Sequence, residues 1–300
     1  QYSWLDYLIF FFFLIDYKKM DSPFFLIFRL FLFQPITFSL TLKTLSHDHG
    51  YMQDQYHILN GDSLLERFPR QIKGSMIVAR ECLVDGDVRG DTLEELYKTR
   101  AKFISETYGD YSVAQYYADT VAEFEKVMSI PENSEINLWF EDDLFCQVNF
   151  WFIAKLILHN GRACNVFLIR PAHSIQYGFA GLDDARLVAA FENRIRIEAL
   201  DKMASLWNFY QQNHTRNLMD LATALKPSFP FIYEAVVAHL ERIPTANNPG
   251  RPMRSLKKIM KELDTDAFGP VFREFNRRES IYGFGDLQVK RLFDQLKRGR

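Results

Sequence analysis

The sequence predicts an α/β protein with a mostly parallel sheet and helices on both faces, followed by an all-α C-terminal region with a helix-turn-helix or winged-helix-like end. Between residues 56 and 169, short apolar segments alternate with longer segments of helical periodicity. Strands that alternate with helices form parallel sheets covered on both faces. Beyond residue 181 the apolar residues recur at helical spacing, which predicts helices.

The first half of the chain contains the predicted sheet. Strands are expected at residues 56–59, 75–79, 136–140 and 165–169, where apolar runs stop at turn-forming residues. Helices are expected at residues 92–108, 113–129 and 144–160. Thr92 and Glu95 have the spacing of a capping box at the start of the first helix, and Gly161 is placed to end the last.

The second half of the chain is predicted to be helical. Helices are expected near residues 183–192, 196–212, 217–225 and 230–242, and then at 255–263 and 268–275. A polar, proline-rich break at 244–252 precedes these last two. A short strand at 279–282, a turn at 283–285 and a final helix follow. The breaks divide the sequence into residues 1–51, an α/β domain at 52–180, a helical segment at 181–243 and a basic helical module at 244–300.

Residues 1–51 differ in pattern from the rest. They hold 10 of the 28 phenylalanines without helical or alternating period, and no apolar run reaches the roughly 20 residues of a membrane span. A signal peptide would need a basic start, which is absent here. We expect a non-native or disordered leader that adds nothing to the fold. A poor membrane anchor and a segment packed on the fold are the alternatives.

Charge is distributed unevenly along the chain. The total is −2, but residues 52–180 hold 12 Lys and Arg against 19 Asp and Glu, whereas residues 250–300 hold 13 against 7. The three cysteines lack C-x-x-C spacing, and two lie in apolar runs. This usage favours reduced, buried thiols in a cytoplasmic protein over a disulfide framework or a zinc site. We expect no membrane contact.

Acidic and polar residues follow the predicted strands directly. Glu141, Asp142 and Asp143 end the third strand, at the edge of an open α/β sheet where ligands bind. Parallel strands keep their carboxyl ends on one side, so we expect Asp62, Glu81 and at least one of Glu141 and Asp143 to converge in one cavity. The candidate ligand-binding residues are Asn60, Gly61, Asp62, Arg80, Glu81, Asp85, Glu141, Asp142, Asp143, Gln147 and Arg170.

The chemistry of this edge is left open by the residues. Two carboxylates about 4 Å apart repel by about 4 kcal/mol at an effective dielectric of 20, so a tight cluster needs a cation, a proton or an arginine. Mg²⁺ is the candidate cofactor, held by carboxylates and a ligand's phosphates. Counter-charge or anion contacts are offered by Arg80, Arg100 and Arg170. Alternatively, Asp142 or Asp143 simply caps the following helix and Glu141 faces solvent.

Several familiar sites are excluded. The turn at residues 60–63 has one glycine and no P-loop lysine, and no G-x-G-x-x-G occurs, so dinucleotide and Walker-type nucleotide sites are not supported. Neither G-x-S-x-G nor H-E-x-x-H is present. His57 and His159 lie in or beside apolar segments and are interpreted as structural. The aromatic residues Trp139, Phe150 and Trp151 are interpreted as core.

The C-terminal module has a basic face. In the last helix, apolar residues recur at i, i+3, i+4 and i+7 from Val289, while Lys290, Arg291 and Lys297 lie on the other face. A compact basic helical unit is typical of DNA- or RNA-binding modules. The candidate nucleic-acid contacts are Arg254, Lys257, Lys258, Lys290, Arg291 and Lys297. The alternative is a solvated basic face on a module that only packs against the rest of the chain.

Six short blocks carry a family resemblance. They are Leu59-Asn-Gly-Asp-Ser-Leu64, Arg80-Glu81 with Asp85-Gly86, Leu93-Glu-Glu-Leu96 followed by Arg100, Leu138-Trp-Phe-Glu-Asp-Asp-Leu-Phe-Cys-Gln147, Arg242-Ile-Pro-Thr245 and Tyr282-Gly-Phe-Gly-Asp-Leu-Gln288. Residues 52–180 resemble the bacterial domain of unknown function numbered eighteen thirty-five. The last two blocks resemble the second domain that usually accompanies it. The resemblance implies no known activity.

Three functions fit these observations. The first is a regulatory or ligand-sensing protein, whose α/β domain binds a small phosphorylated or nucleotide-like ligand and whose basic module binds nucleic acid or a partner. The second is a divalent-cation-dependent phosphoesterase or nucleotide-modifying enzyme. The third is an interaction protein without a ligand, whose acidic and basic halves pack together. The first is favoured.

Overall fold

The computed structural model describes residues 54–109, 111–171 and 178–298. The expectation for residues 1–51 therefore lies outside the described residues. A five-stranded sheet is formed by β1 (Gln55–Leu59), β2 (Ser75–Val78), β3 (Glu135–Trp139), β4 (Asn165–Ile169) and β5 (Ile195–Arg196). The strand order is β2-β1-β3-β4-β5. The first four strands are parallel, and β5 runs antiparallel to β4. The predicted mostly parallel sheet is confirmed.

Helices account for most of the remaining chain. The first half contains α1 (Asp62–Leu65), α2 (Leu93–Thr107), α3 (Val113–Tyr116), a π-helical turn (Tyr117–Val121), α4 (Ala122–Met128) and α5 (Leu144–His159). The second half contains a 3₁₀ turn (Gly178–Gly181), α6 (Asp184–Glu192), α7 (Leu200–Gln211), α8 (Thr215–Leu225) and α9 (Pro230–Arg242). The chain then forms α10 (Arg251–Glu262), α11 (Phe268–Arg278), a second 3₁₀ turn (Ser280–Tyr282) and α12 (Asp286–Arg298).

Local sequence signals explain where the principal helices begin. The capping box of Thr92 and Glu95 is present in full at the start of α2. Asp143 caps α5 by accepting a hydrogen bond from the backbone N–H of Cys146 at 2.9 Å. After this cap, α5 is apolar on nearly every side, and a helix with such a surface must be buried. It lies against the sheet and α7, at the centre of the molecule.

Both faces of the sheet are covered, as predicted. On one face, Leu59, Trp139 and Ile169 pack with apolar residues of α1, α6 and the first 3₁₀ turn. His57 is fully buried there; its Nε2 bonds the carbonyl of Lys73 at 2.9 Å, and its Nδ1 accepts from the Trp139 indole at 3.2 Å. These contacts make both residues structural, as predicted. On the other face, α4, α5 and α7 cover alternate strand residues.

The C-terminal region is helical, as predicted. Its apolar residues, which include Leu256, Phe275 and Phe293, belong to the same buried cluster as the sheet face that α4, α5 and α7 cover. Within described residues 244–298 the one β-type pairing is an isolated bridge between Thr245 and Asn248. The strand expected at 279–282 is instead a 3₁₀ turn, because the chain reverses at Gly283, whose φ is +61°. Likeness to a helix-turn-helix stays a prediction.

Candidate functional site

The carboxyl ends of β1 and β3 lie at the sheet's topological switch point. From β1 the chain runs to β2 on one side, and the helices after β2 return it to β3 on the other side of β1. Loops that leave neighbouring strands in opposite directions open a crevice where ligands bind. This crevice holds a cavity of about 50 Å³, enough for a few water-sized groups. The polar side chains that line it are Asn60, Ser63, Arg67, Glu141 and Cys146.

Three potential metal ligands lie close together beside this cavity, and two of them, Glu141 and Cys146, line it. A carboxylate oxygen of Glu141, a carboxylate oxygen of Asp143 and the sulfur of Cys146 all lie within 4.8 Å of one another. Asp143 is fixed by its role as helix cap, and Cys146 follows it by one helical turn, so both side chains face the same side. Glu141, Asp143 and Cys146 are called the acid–thiol cluster below.

A turn covers the cluster on the sheet side. The backbone N–H of Phe179 donates to Glu141 at 2.8 Å, and the Arg67 guanidinium holds the same turn through the carbonyl of Ala180 at 2.8 Å. Gly178 has a φ of +54°, and a Cβ there would come within 2.0 Å of the Glu141 carboxylate. Glu141 is therefore half-buried against this turn, while Asp143 caps α5, as one alternative from the sequence expected.

Burial and mutual repulsion favour protonation of the cluster. Burial, and then the charge of Asp143, raises the pKa of Glu141 to about 8. Burial likewise raises the pKa of Asp143, against the hydrogen bond from Cys146 that favours its charged form. The Cys146 thiol has a pKa well above its usual range because it is buried beside both carboxylates. Around neutral pH the Glu141 carboxyl group therefore favours its protonated form, and Cys146 stays a thiol.

Arg170 neutralises the third acid of the turn, Asp142, and not the cluster. Arg170 forms a two-pronged ion pair with Asp142, and its guanidinium lies 3.8 Å from the centre of the Phe231 ring. In the part of the chain that the structure describes, neither Glu141 nor Asp143 forms an ion pair with Lys, Arg or His. The charge of the acid–thiol cluster is thus left for a proton or a bound cation.

Asparagines connect the cluster to the neighbouring strand end. Asn60 donates its amide N–H to the Cys146 sulfur at 3.0 Å, and its Oδ1 accepts from Asn149 at 2.8 Å. Asn149 also donates to the carbonyl of Glu81 at 2.6 Å. This chain of contacts ties the loops after β1 and β2 to α5. Asn60, a residue predicted from the sequence, is thereby held at the cluster.

The other acidic candidates are neutralised elsewhere along the same edge. Asp62 pairs with Arg80 at 2.6 Å. Glu81 is buried and pairs with the fully buried Arg100, whose Nε lies 2.7 Å from it. These pairs explain why Asp62 and Glu81 do not join Glu141 at the cavity, contrary to the sequence expectation. Arg100 was expected to supply counter-charge to a ligand site, and it supplies it to Glu81.

The remaining predicted residues at this edge have structural contacts. Gly61 has a φ of +93°, which its turn before α1 requires. Gln147 is buried and donates to the carbonyl of Glu141 at 2.7 Å. Asp85 accepts hydrogen bonds from Tyr108 and Arg291. An anion at the α5 N-terminus would meet the Asp143 carboxylate, so this edge favours a cation over a phosphate.

The C-terminal region touches the cluster through Gly283. A Cβ at this position would come within 1.9 Å of an Asp143 carboxylate oxygen. The block Tyr282–Gln288 and the acidic turn, which were read from the sequence as separate motifs, are therefore in contact. Further along, Gln288 donates to the Tyr108 hydroxyl at 3.0 Å, and Arg291 pairs with Asp85. Two polar contacts thus hold α12 against the α/β part.

The candidate nucleic-acid contacts differ in whether their side chains are already paired within the molecule. Arg291 is paired with Asp85, Lys290 with Asp294 at 2.6 Å and Lys258 with Glu262 at 3.7 Å. The Arg254 side chain bonds the Asn248 amide oxygen. Lys257 and Lys297 are exposed. Much of the positive charge of the module is therefore balanced within the molecule.

The sequence did not identify Cys146 and Gly283 as residues of the site. Cys146 has a local signal, because it lies three residues after a helix-capping acid and therefore on the same face. Gly283 has no local sequence signal, because its role at the site depends on a contact with Asp143, 140 residues away in the chain.

No protein-family model matches the chain, and no curated protein matches it. No helix in the described ranges combines the length and apolar character needed to cross a membrane.

Proposed function

We propose that this chain is a ligand-sensing protein that binds a divalent metal ion at the acid–thiol cluster and transmits its occupancy to the C-terminal helices. The observation that carries the proposal is the set of three ligand atoms within 4.8 Å of one another, on residues without an ion-pair partner in the described part of the chain. A divalent cation would neutralise both carboxylates, and the protons they hold would be released on binding.

Cys146 decides which metal is favoured. Carboxylates alone suit Mg²⁺, the ion expected from the sequence, but a thiolate ligand is soft and suits Zn²⁺ or similar ions. Zinc accepts sulfur and carboxylate ligands in four-coordinate sites. We therefore propose Zn²⁺ in preference to Mg²⁺. Asn60, whose amide group already contacts the cluster, would help to orient Cys146.

The sensing role rests on the contact between the cluster and the C-terminal region. Gly283 lies directly against Asp143, so a change in the charge or position of that carboxylate acts on the turn before α12. Since Asp143 also caps α5, ligation by a metal would compete with the cap. Either effect alters how firmly α12 is held, which is the kind of two-state element a sensor needs.

Calorimetric titration of the metal-free, full-length chain tests metal binding. We expect one Zn²⁺ per chain, much weaker binding of Mg²⁺, and loss of zinc binding in Cys146→Ser and Glu141→Gln. Cys164→Ser is the matched control, because Cys164 is also a free cysteine but lies outside the cluster. Equal zinc affinity in the Cys146→Ser and Cys164→Ser variants would contradict the proposal.

A metal-dependent hydrolase is the second candidate, and one observation favours it. Catalytic zinc sites have three protein ligands and an open position for water. The cluster offers three ligands beside a cavity that Asn60 and Ser63 line. Zinc-dependent turnover of a generic phosphoester, absent in Cys146→Ser, would support the enzyme. Stoichiometric zinc binding without turnover of such esters would support the sensor.

We also propose that the protein belongs to the bacterial family it resembles and is cytoplasmic. What supports the family is that residues of two resembling blocks, Asp143 and Gly283, meet at one site. What supports the location is that Cys82, Cys146 and Cys164 are all free thiols. Binding of DNA or RNA by the basic module remains part of the proposal, supported by the exposed Lys257 and Lys297.

A further inference from the structure

A second, larger cleft lies between the α/β part and the C-terminal helices. Its volume is about 530 Å³, within the range of small-molecule sites. One wall comes from Asp85 and the end of α9, and the other from the loop before α10 and one face of α12. It shares no lining residue with the cavity at the acid–thiol cluster. Ligand binding in this cleft is therefore independent of metal binding at the acid–thiol cluster.

The charged groups of the cleft are mostly guanidinium groups. Arg242, Arg291 and Arg298 line it together with one carboxylate, Asp85, so three positive charges and one negative charge give a net +2. Arg298 is exposed and forms no ion pair with any residue that the structure describes. This concentration of positive charge contrasts with the acidic surroundings of the α/β domain.

Arg242 is held in place by neighbours that leave it able to bind more. Its Nη1 donates to the carbonyl of Val84 at 2.7 Å, its Nη2 to the Tyr210 hydroxyl at 3.1 Å and its Nε to His239 at 3.2 Å. A guanidinium has five N–H donors, so two are left over after these contacts. A pre-oriented arginine with spare donors is suited to a planar or tetrahedral anion.

Most of the remaining lining is apolar, and Gln288 and Gln295 are its uncharged polar residues. Pro249, Met253, Phe284 and Leu292 form much of the wall between the arginines. A mixture of apolar walls with a few convergent polar groups is typical of sites for small organic ligands. A bare inorganic ion would leave these walls unused.

We propose that this cleft binds a small organic phosphate, with the phosphate on the guanidinium groups and an apolar or planar body against the proline and methionine wall. A phosphate monoester carries a charge of about −1.5 to −2 at pH 7, which matches the net charge of the lining. A ligand with a single carboxylate would neutralise only half of the net charge of the lining. Asp85 forms an ion pair with Arg291, and the ligand competes with Asp85 for that arginine.

Calorimetric titration of the full-length chain with four probes tests the proposal. AMP combines a phosphate with a planar body, adenosine lacks the phosphate, inorganic phosphate lacks the body, and glucose 6-phosphate has a polar body. We expect AMP to bind most tightly of the four. The proposal would be overturned if adenosine, inorganic phosphate or glucose 6-phosphate bound as tightly as AMP or more tightly, or if AMP did not bind.

Variants assign the binding to the cleft. Arg298→Gln is expected to weaken AMP binding about tenfold or more, because one charge-assisted contact is lost. Lys261→Gln removes the same charge from an exposed position in α10 outside the lining and should leave the affinity unchanged. Asp85→Asn should strengthen binding severalfold, since it frees Arg291 and removes the opposing charge.

The two cleft variants are expected to change the affinity for AMP in opposite directions, which a general loss of stability would not do. Loss of affinity in both Arg298→Gln and Asp85→Asn would overturn the proposal, because removal of the Asp85 charge must strengthen phosphate binding. So would an unchanged affinity in Arg298→Gln. Binding of duplex DNA through Arg291 and Arg298, without any binding of AMP, would assign these arginines to nucleic acid and also overturn it.

Discussion

Glu81 and Arg100 form the most buried ion pair described in the molecule. Arg100 Nε and Nη2 contact the two carboxylate oxygens at 2.7 and 2.9 Å, and the Tyr116 hydroxyl donates to the same carboxylate at 2.9 Å. Arg100 also donates to the carbonyl of Asp85 at 2.6 Å. The pair thus fixes the loop after β2 onto α2, which is a structural role.

Breaking this pair should be costly. In Arg100→Met, Glu81 would be left buried without its counter-charge, and we expect the free energy of unfolding to fall by about 3–5 kcal/mol. The matched control is Arg89→Met, because Arg89 pairs with Asp87 at 2.5 Å but is exposed, and it should leave the stability nearly unchanged. Urea unfolding followed by tryptophan fluorescence measures both. Equal losses in the two variants would refute the structural role.

Glu141 makes stability depend on pH in the metal-free protein. Its pKa rises from 4.5 to about 8 on folding, so the native state binds more protons than the unfolded state between these values. Its contribution is fully present below pH 4.5 and is lost as the pH rises through about 8. Glu141→Gln should flatten this decline, whereas exposed Glu132→Gln should not. Thermal melts between these pH values provide the measurement, and an unchanged slope in Glu141→Gln would contradict the assignment.

The sequence predicted that acidic side chains follow the strands. It did not predict which of these acids are paired with arginines. Position after an apolar strand shows that Asp62, Glu81 and Glu141 reach one edge. It does not show that arginines from the next strand end and from α2 neutralise the first two. Ion pairing depends on side-chain geometry across several elements, which periodicity does not contain.

At the element scale, apolar periodicity predicted the long helices and the four parallel strands well. β4 and α9 have the predicted bounds, and the other parallel strands end within one residue of prediction. β5 was not predicted, because two residues, Ile195 and Arg196, are too few to show an alternating pattern. The π-helical turn in the helix expected at 113–129 was not predicted either, because it leaves the spacing of the apolar residues almost unchanged.

The turn before α12 should be sensitive to one added methyl group. Gly283→Ala would place a Cβ against the Asp143 carboxylate at a φ of +61°, so both a clash and backbone strain are expected. Gly161→Ala is the control, because Gly161 has a φ of +68° but no neighbour within 4 Å of a Cβ. We expect faster hydrogen exchange at 280–290 in Gly283→Ala alone. Equal effects in both variants would show that strain, and not contact with Asp143, matters.

At the scale of the whole molecule, the acidic and basic halves are joined by specific contacts. Arg291 pairs with Asp85 and lies 5.2 Å from the centre of the Phe103 ring, and Gln288 contacts Tyr108. The uneven charge was visible in the sequence. The contacts were not, because no local pattern encodes where an amphipathic helix docks.

These contacts change what is expected of nucleic-acid binding. If the module binds duplex DNA or RNA, log affinity should fall linearly with log salt between about 50 and 200 mM. Lys290→Ala with Arg291→Ala should then reduce the slope by less than two phosphate contacts, because Arg291 is already paired with Asp85. Lys257→Ala with Lys297→Ala should reduce it by nearly two. The reverse order would contradict the arrangement of charges described here.

Co²⁺ absorption shows whether Cys146 and the two carboxylates bind one metal ion. Cobalt substitutes for zinc in such sites, and a cysteine ligand produces a sulfur-to-metal charge-transfer band in the near ultraviolet. We predict that one equivalent of Co²⁺ produces this band in the full-length chain and in Cys164→Ser, that Zn²⁺ abolishes it, and that it is absent in Cys146→Ser. A chain without the band, or a band that persists in Cys146→Ser, would contradict the account.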